Sequence, residues 1–133
     1  MAEIAKPLFL LDSNICIYVL GGGAPHARLR MEQCAPGEIA SSAVTVAEVL
    51  VGARSLNAVA QAQALFEIIK VLPFDDAAAG AYAGLPFRRG SFDRLIAAHA
   101  LSLGLILVTN NERDFSDIEG LKIENWTKSK SFD

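Results

Sequence analysis

The sequence predicts an α/β fold, a three-layer α/β/α domain around a central parallel sheet of four or five strands. Two short apolar runs, Leu8–Leu11 and Leu105–Val108, read as strands buried on both faces, the kind found in a parallel sheet covered by helices. Weaker strand-like stretches alternate with helical ones, which implies parallel pairing through right-handed crossovers. Each strong strand also ends abruptly in polar residues, Asp12-Ser13-Asn14 after the first and Thr109-Asn110-Asn111 after the second. In an open α/β sheet, that edge is where ligands and chemistry collect.

The 133 residues suit one domain spanning 1–133, with 127–133 as a loose polar tail. The apolar fraction is 52%, which argues against disorder, and no apolar stretch is long enough to span a bilayer. The N-terminus lacks a charged segment, apolar core and cleavage site, so a cytoplasmic protein is expected, with no membrane partner. Cys16 and Cys34 stand alone in helix-like stretches, and two reduced thiols fit that compartment. A net charge of −3 argues against a grip on nucleic acid by bulk positive charge. It leaves room for a nuclease whose negative charge is concentrated at a metal site.

In chain order, Leu8–Leu11 is the first strand and Ser13–Leu20 its helix. Gly21-Gly22-Gly23-Ala24-Pro25 breaks the chain after that helix, not before one, so it makes a poor phosphate cradle. A short helix over His26–Cys34 follows, then a modest strand over Glu38–Ala43 and a helix beginning at Thr45. Asn57–Lys70 is amphipathic, with Ala58, Ala62, Leu65, Phe66 and Ile69 on one stripe. Val71–Phe74 reads as an edge strand because of its proline. Asp75–Leu85 is an alanine-rich helix opened by two acids that suit its dipole. Ser91 caps a helix over Phe92–Leu103 that Gly104 closes. Leu121–Trp126 alternates and suits the other edge.

Four acids fall on the carboxyl edge of such a sheet: Asp12 after the first strand, Glu48 in the first turn of the next helix, Asp93 and Asp114. Asp93 begins a helix whose i+3, i+4 and i+7 positions are Ile96, Ala97 and Ala100, which turns it inward. Two unit charges about 4 Å apart repel by roughly 4 kcal/mol at an effective dielectric of 20. Such a cluster needs a cation or shifted ionisation, and its hard oxygen donors suit Mg²⁺ or Mn²⁺. These ions orient phosphodiesters and activate water.

Plainer readings stand beside these. Asp12 suits a helix cap, and Thr45-Val46-Ala47-Glu48 fits the capping box, which accounts for the glutamate without chemistry. Asp114 competes with Glu112 and Asp117 in a polar loop. His99 lies on a different face from Asp93 and reads as a packed histidine. Arg88 and Arg89, between Phe87 and Phe92, suit RNA contacts and ordinary surface charge about equally.

The segments Leu11-Asp12-Ser13-Asn14-Ile15, Ala47-Glu48-Val49, Phe92–Leu101 and Val108–Phe115, with Gly120-Leu121 and Trp126, resemble the PIN-domain ribonucleases, and within them the VapC toxins of type II toxin–antitoxin pairs. The resemblance covers essentially the whole chain in order. It implies a PIN-like fold and a metal-dependent endoribonuclease that cleaves tRNA or other structured RNA by metal-activated water. Carried over, Asp12 and Asp93 are direct ligands of Mg²⁺ or Mn²⁺. Glu48 and Asp114 complete the catalytic pocket directly or through water, and Ser13, Thr109 and Asn111 orient those carboxylates. The resemblance also implies a cognate VapB-like antitoxin that lays apolar residues and a basic side chain on the toxin. It further implies a homodimer or toxin–antitoxin hetero-oligomer, with operator DNA bound only through the antitoxin complex.

Three other readings compete. A phosphoacceptor receiver-like domain also keeps carboxylates at a strand edge, but needs a second acid beside the first cluster and a lysine after a late strand, where Thr109-Asn110-Asn111 supplies no lysine. A phosphatase with a nucleophilic aspartate would want a second acid two residues after Asp12, and Asn14 stands there. A catalytically silent α/β interaction domain would use the same acids only as helix caps.

Overall fold

Leu10 and Leu11 account for the layering. In the computed structural model, which describes residues 5–87 and 91–128, both are fully buried. As neighbours on a strand they point to opposite faces. Leu11 packs with Ile15, Val19, Ile39, Leu65 and Val108, and Leu10 with Ala40, Ile96, Ala97, Leu107 and Phe115. A strand with two apolar faces needs helices on both sides.

The strands are β1 (Phe9–Leu11), β2 (Ile39–Ser42), β3 (Lys70–Leu72), β4 (Ile106–Val108) and β5 (Ile123–Glu124). Among the described residues they form a parallel sheet in the order β3-β2-β1-β4-β5. Leu11 lies opposite Ser41 on one side and Val108 on the other. The expected edge positions of β3 and β5 are therefore found.

The helices are α1 (Ser13–Leu20), α2 (Pro25–Gln33), α3 (Ala43–Gly52), α4 (Leu56–Ile68), α5 (Asp76–Ala83) and α6 (Phe92–Leu103). Asp12, Ser42, Ser55, Asp75 and Ser91 cap α1, α3, α4, α5 and α6, each side chain accepting from a backbone N–H in the first turn. A cap of this kind is worth about 1 kcal/mol. Gly104 ends α6 at φ 68°, a left-handed conformation that glycine adopts without strain.

One boundary differs from expectation with consequence. Ser42 is the last residue of β2 and also the cap of α3, its Oγ accepting from the Val44 N–H at 3.1 Å. The helix therefore starts at Ala43, two residues before Thr45. Thr45 is buried inside it, and its hydroxyl makes no hydrogen bond. The capping box does not form, and Glu48 stands in the second turn instead of the first.

The strand order creates a crevice. The chain runs outward from β1 through β2 to β3, then returns to lay β4 on the other side of β1. Crossovers of one hand that travel in opposite directions place their helices on opposite faces, so the connections diverge just beyond the carboxyl ends of the paired strands β1 and β4. Asp12 and Thr109 are the residues that follow those two strands, and the Asp12 N–H donates to the Val108 carbonyl at 3.0 Å.

Trp126 closes the far side. It is buried, meets Phe9 edge-on at 4.9 Å between ring centroids, and donates from Nε1 to Glu124 Oε1 at 2.9 Å. Of the expected tail 127–133, only Thr127 and Lys128 belong to the described residues.

Candidate metal centre

Asp12 is the most constrained acid of the crevice. It is 2% exposed. One oxygen, Oδ1, accepts from the Ile15 N–H at 2.9 Å, so the helix cap expected of an aspartate here is made. The cap does not exhaust the carboxylate, which also receives a hydrogen bond from the Thr109 side chain. Thr109 is itself fixed, because its Oγ1 accepts from the Asn111 N–H at 3.1 Å.

The Asp12 carboxyl is raised to about 6 from its ordinary 3.8. Burial is the largest cause, and the Asp93 and Glu48 charges push the same way, while the Thr109 and Ile15 hydrogen bonds oppose them. Asp93, half-buried in the first turn of α6, is raised as well, first by burial and then by the Asp114 charge, against a hydrogen bond from Ser91. Asp12 after β1 is thus coupled to Asp93 on α6 and to Glu48 on α3, and Asp93 in turn to Asp114 in the turn after β4.

Each of the other acids has a side chain steering it. The Ser13 Oγ donates to Glu48 Oε1 at 2.7 Å. Asp114 lies in a 3₁₀ turn, Glu112–Phe115, and Asn111 Nδ2 donates to its Oδ2. Ser13, Thr109 and Asn111 each meet one acid of the group. Arg88 and Arg89 lie outside the described residues. His99 is buried on the α6 side of the sheet, its Nδ1 2.9 Å from Ser42 Oγ and its ring edge-on to Phe74. Burial lowers its pKa although Asp75 opposes this. It behaves as packing around the α3 cap.

Among the described residues, no three His, Cys, Asp or Glu side chains stand close enough to cage a metal ion by themselves. These residues therefore do not form a closed four-ligand site of the zinc kind. Carboxylate oxygens are the donors of a hard divalent cation, one that keeps waters and takes one or two carboxylates plus substrate phosphates. With Asp12 buried, Asp93 and Glu48 half-buried and Asp114 exposed, these carboxylates offer hard oxygen donors of the kind that such an ion would hold together.

Sequence reasoning missed Arg94 and its partner Asp117. Arg94 is 4% exposed, and both its terminal nitrogens meet the Asp117 carboxylate at 3.0 Å. An arginine inside a helix, paired across 23 residues, leaves no local signature.

A family model described as the PIN domain matches residues 9–121. The chain belongs to the PIN-domain family. Among the relatives of this PIN-domain chain, the tRNA(fMet)-specific endonuclease VapC of Shigella flexneri is 37% identical, over 90% of this chain and 98% of that protein. The DNA-bound VapBC structure from Salmonella typhimurium contains a chain 35% identical, with a TM-score of 0.75, covering 91% of this chain and 99% of its own. The VapBC2 structure from Rickettsia felis, bound to a promoter DNA fragment, matches with a TM-score of 0.79 at 25% identity, over 90% and 98%. The parallel sheet flanked by helices is the architecture these proteins share.

Proposed function

We propose that this chain is an endoribonuclease, the toxin of a VapBC-type toxin–antitoxin pair, and that it hydrolyses tRNA or another structured RNA in the cytoplasm with Mg²⁺ or Mn²⁺. The observation that carries the reading is Asp12: a carboxyl 2% exposed at the sheet's switch point and raised by burial and by two further acids. A group held in that state is stabilised by a bound cation. The names and lengths of the relatives support the same reading, since this chain spans nearly all of each.

In this reading Asp12 and Asp93 bind the ion directly, while Glu48 and Asp114 reach it directly or through water. When bound, the ion polarises a phosphodiester oxygen, lowers the pKa of water and stabilises the leaving oxygen. The protein's own part is orientation. Thr109 fixes the Asp12 carboxylate, Ser13 fixes Glu48 and Asn111 fixes Asp114, so that little reorganisation remains when substrate arrives.

An antitoxin also has a place to act. Beside Glu48, a cleft of about 320 Å³ is lined by Val44, Ala47, Val51, Phe92 and Leu95. Its apolar walls and acidic end suit a partner segment with apolar residues and one basic side chain, which would set a cation against the acids and close them to RNA.

The test is cleavage of a structured RNA pool by the purified chain, with sequencing of the new ends. Cutting is expected with Mg²⁺ or Mn²⁺ and none with chelator, and both Asp12→Asn and Asp93→Asn abolish it. Unchanged cutting by those variants would refute the assignment.

A further inference from the structure

Arg94 follows Asp93 on α6, and its guanidinium joins three separate stretches of chain. Nη1 donates to the Asp114 carbonyl at 3.2 Å and to Asp117 Oδ1 at 3.0 Å. Nη2 donates to Asp117 Oδ2 at 3.0 Å and to the Pro86 carbonyl at 3.0 Å. The two bonds to Asp117 run side by side, a fork-to-fork arrangement that a lysine ammonium does not reproduce.

The turn it holds needs such support. Glu112–Phe115 is a single 3₁₀ turn, and that geometry makes poor internal hydrogen bonds. Asp114 is exposed, and its side chain accepts from Asn111, which precedes the turn, so that bond does not tie the turn to α6. Phe115 and Ile118 anchor the stretch in the core, but apolar packing is not directional. The Arg94 bond to the Asp114 carbonyl is directional, and it starts from the residue next to Asp93. One turn of α6 thus carries one acid and grips the backbone of another.

The geometry points to Arg94 as a positioning residue of the metal centre, one that docks the Asp114 turn against Asp93 before an ion arrives. The docking half of this inference stands on the contacts alone; the metal half rests on the reading of the preceding subsection.

The test uses the full chain with Arg94→Gln and Arg94→Lys. Amide hydrogen exchange without metal, and Mn²⁺ affinity by electron paramagnetic resonance, are read in each. In Arg94→Gln, exchange at residues 112–118 rises at least about tenfold, while β1 and β4 amides keep their protection. Mn²⁺ binding weakens about 10- to 100-fold, the usual effect of losing a group that orients a ligand. Arg94→Lys restores part of both. In an Asp114→Asn background, Arg94→Gln adds little further loss, because its effect passes through Asp114. Unchanged exchange at 112–118 would overturn the docking. An equal loss of Mn²⁺ affinity with and without Asp114 would overturn the positioning role. If the unaltered chain bound no Mn²⁺, the metal centre itself would fall, while exchange would still decide the docking. Should Arg94→Gln not fold, Asp117→Asn loosens the same fork from its more exposed side and gives both readouts.

Discussion

Ser13 Oγ donates to Glu48 Oε1 at 2.7 Å, joining the start of α1 to the second turn of α3 across 35 positions of chain. Ser13 is 3% exposed and follows the buried Asp12, so this hydroxyl sets where Glu48 points relative to Asp12. Ser13→Ala removes the donor and frees the glutamate. RNA cleavage is expected to fall about 10- to 100-fold, and stability by about 1 kcal/mol. Steady-state cleavage and a thermal melt on the same preparation check both. Full activity in the alanine variant would mean that Glu48 needs no steering.

Glu48 and Ser42 separate chemistry from capping. Ser42 caps α3 and also meets His99, whereas Glu48 takes no part in the cap. Glu48→Gln is therefore expected to leave the melting temperature nearly unchanged while cleavage drops sharply. Ser42→Ala should cost about 1 kcal/mol or more, the worth of a lost cap. Melting curves of the two variants, run beside the cleavage assay, distinguish them. A large stability loss in Glu48→Gln would return the glutamate to a structural role.

The raised Asp12 carboxyl gives a pH dependence with a definite sign. Its folded pKa of about 6 lies above the ordinary 3.8, so the folded metal-free protein holds this proton more tightly than the unfolded chain. That contribution is fully present below about pH 4 and is lost as pH rises through 6. Above 6 the ionised group costs about 3 kcal/mol. Asparagine keeps the cap, since it caps as well as aspartate, and removes the charge. Asp12→Asn should then melt higher than the unaltered protein at pH 7.5 without metal, by an amount that shrinks towards pH 4.5. Paired melts across that range check it, and an Asn variant that melts lower at pH 7.5 would contradict it.

Leu10, Leu11 and Leu107 were legible as doubly buried strand residues because an unbroken apolar run has few other uses. Ser91 and Gly104 were legible as the ends of α6 for the same local reason. Asp12 was legible in both of its roles, as cap and as crevice acid. Where α3 begins was not. Ser42 and Thr45 are both competent caps, and the choice fell to Ser42 once β2 ended there and His99, 57 positions away, came to meet its hydroxyl. Ser13 with Glu48 was visible only as two residues on one sheet edge, since nothing local specifies a contact across two elements. Arg94 was hidden more deeply. Its burial depends on Asp117 and Pro86, whose approach is a property of the folded crossover.

The most direct measurement is the anomalous scattering of Mn²⁺ in crystals of the protein grown with that ion. The expected result is a peak between Asp12 and Asp93, about 2.1 Å from an oxygen of each, with Glu48 and Asp114 on the surrounding waters or on the ion. A crevice without a peak at saturating Mn²⁺, or a peak held by other residues while Asp12 and Asp93 stay apart, would contradict a metal-dependent nuclease built on these acids.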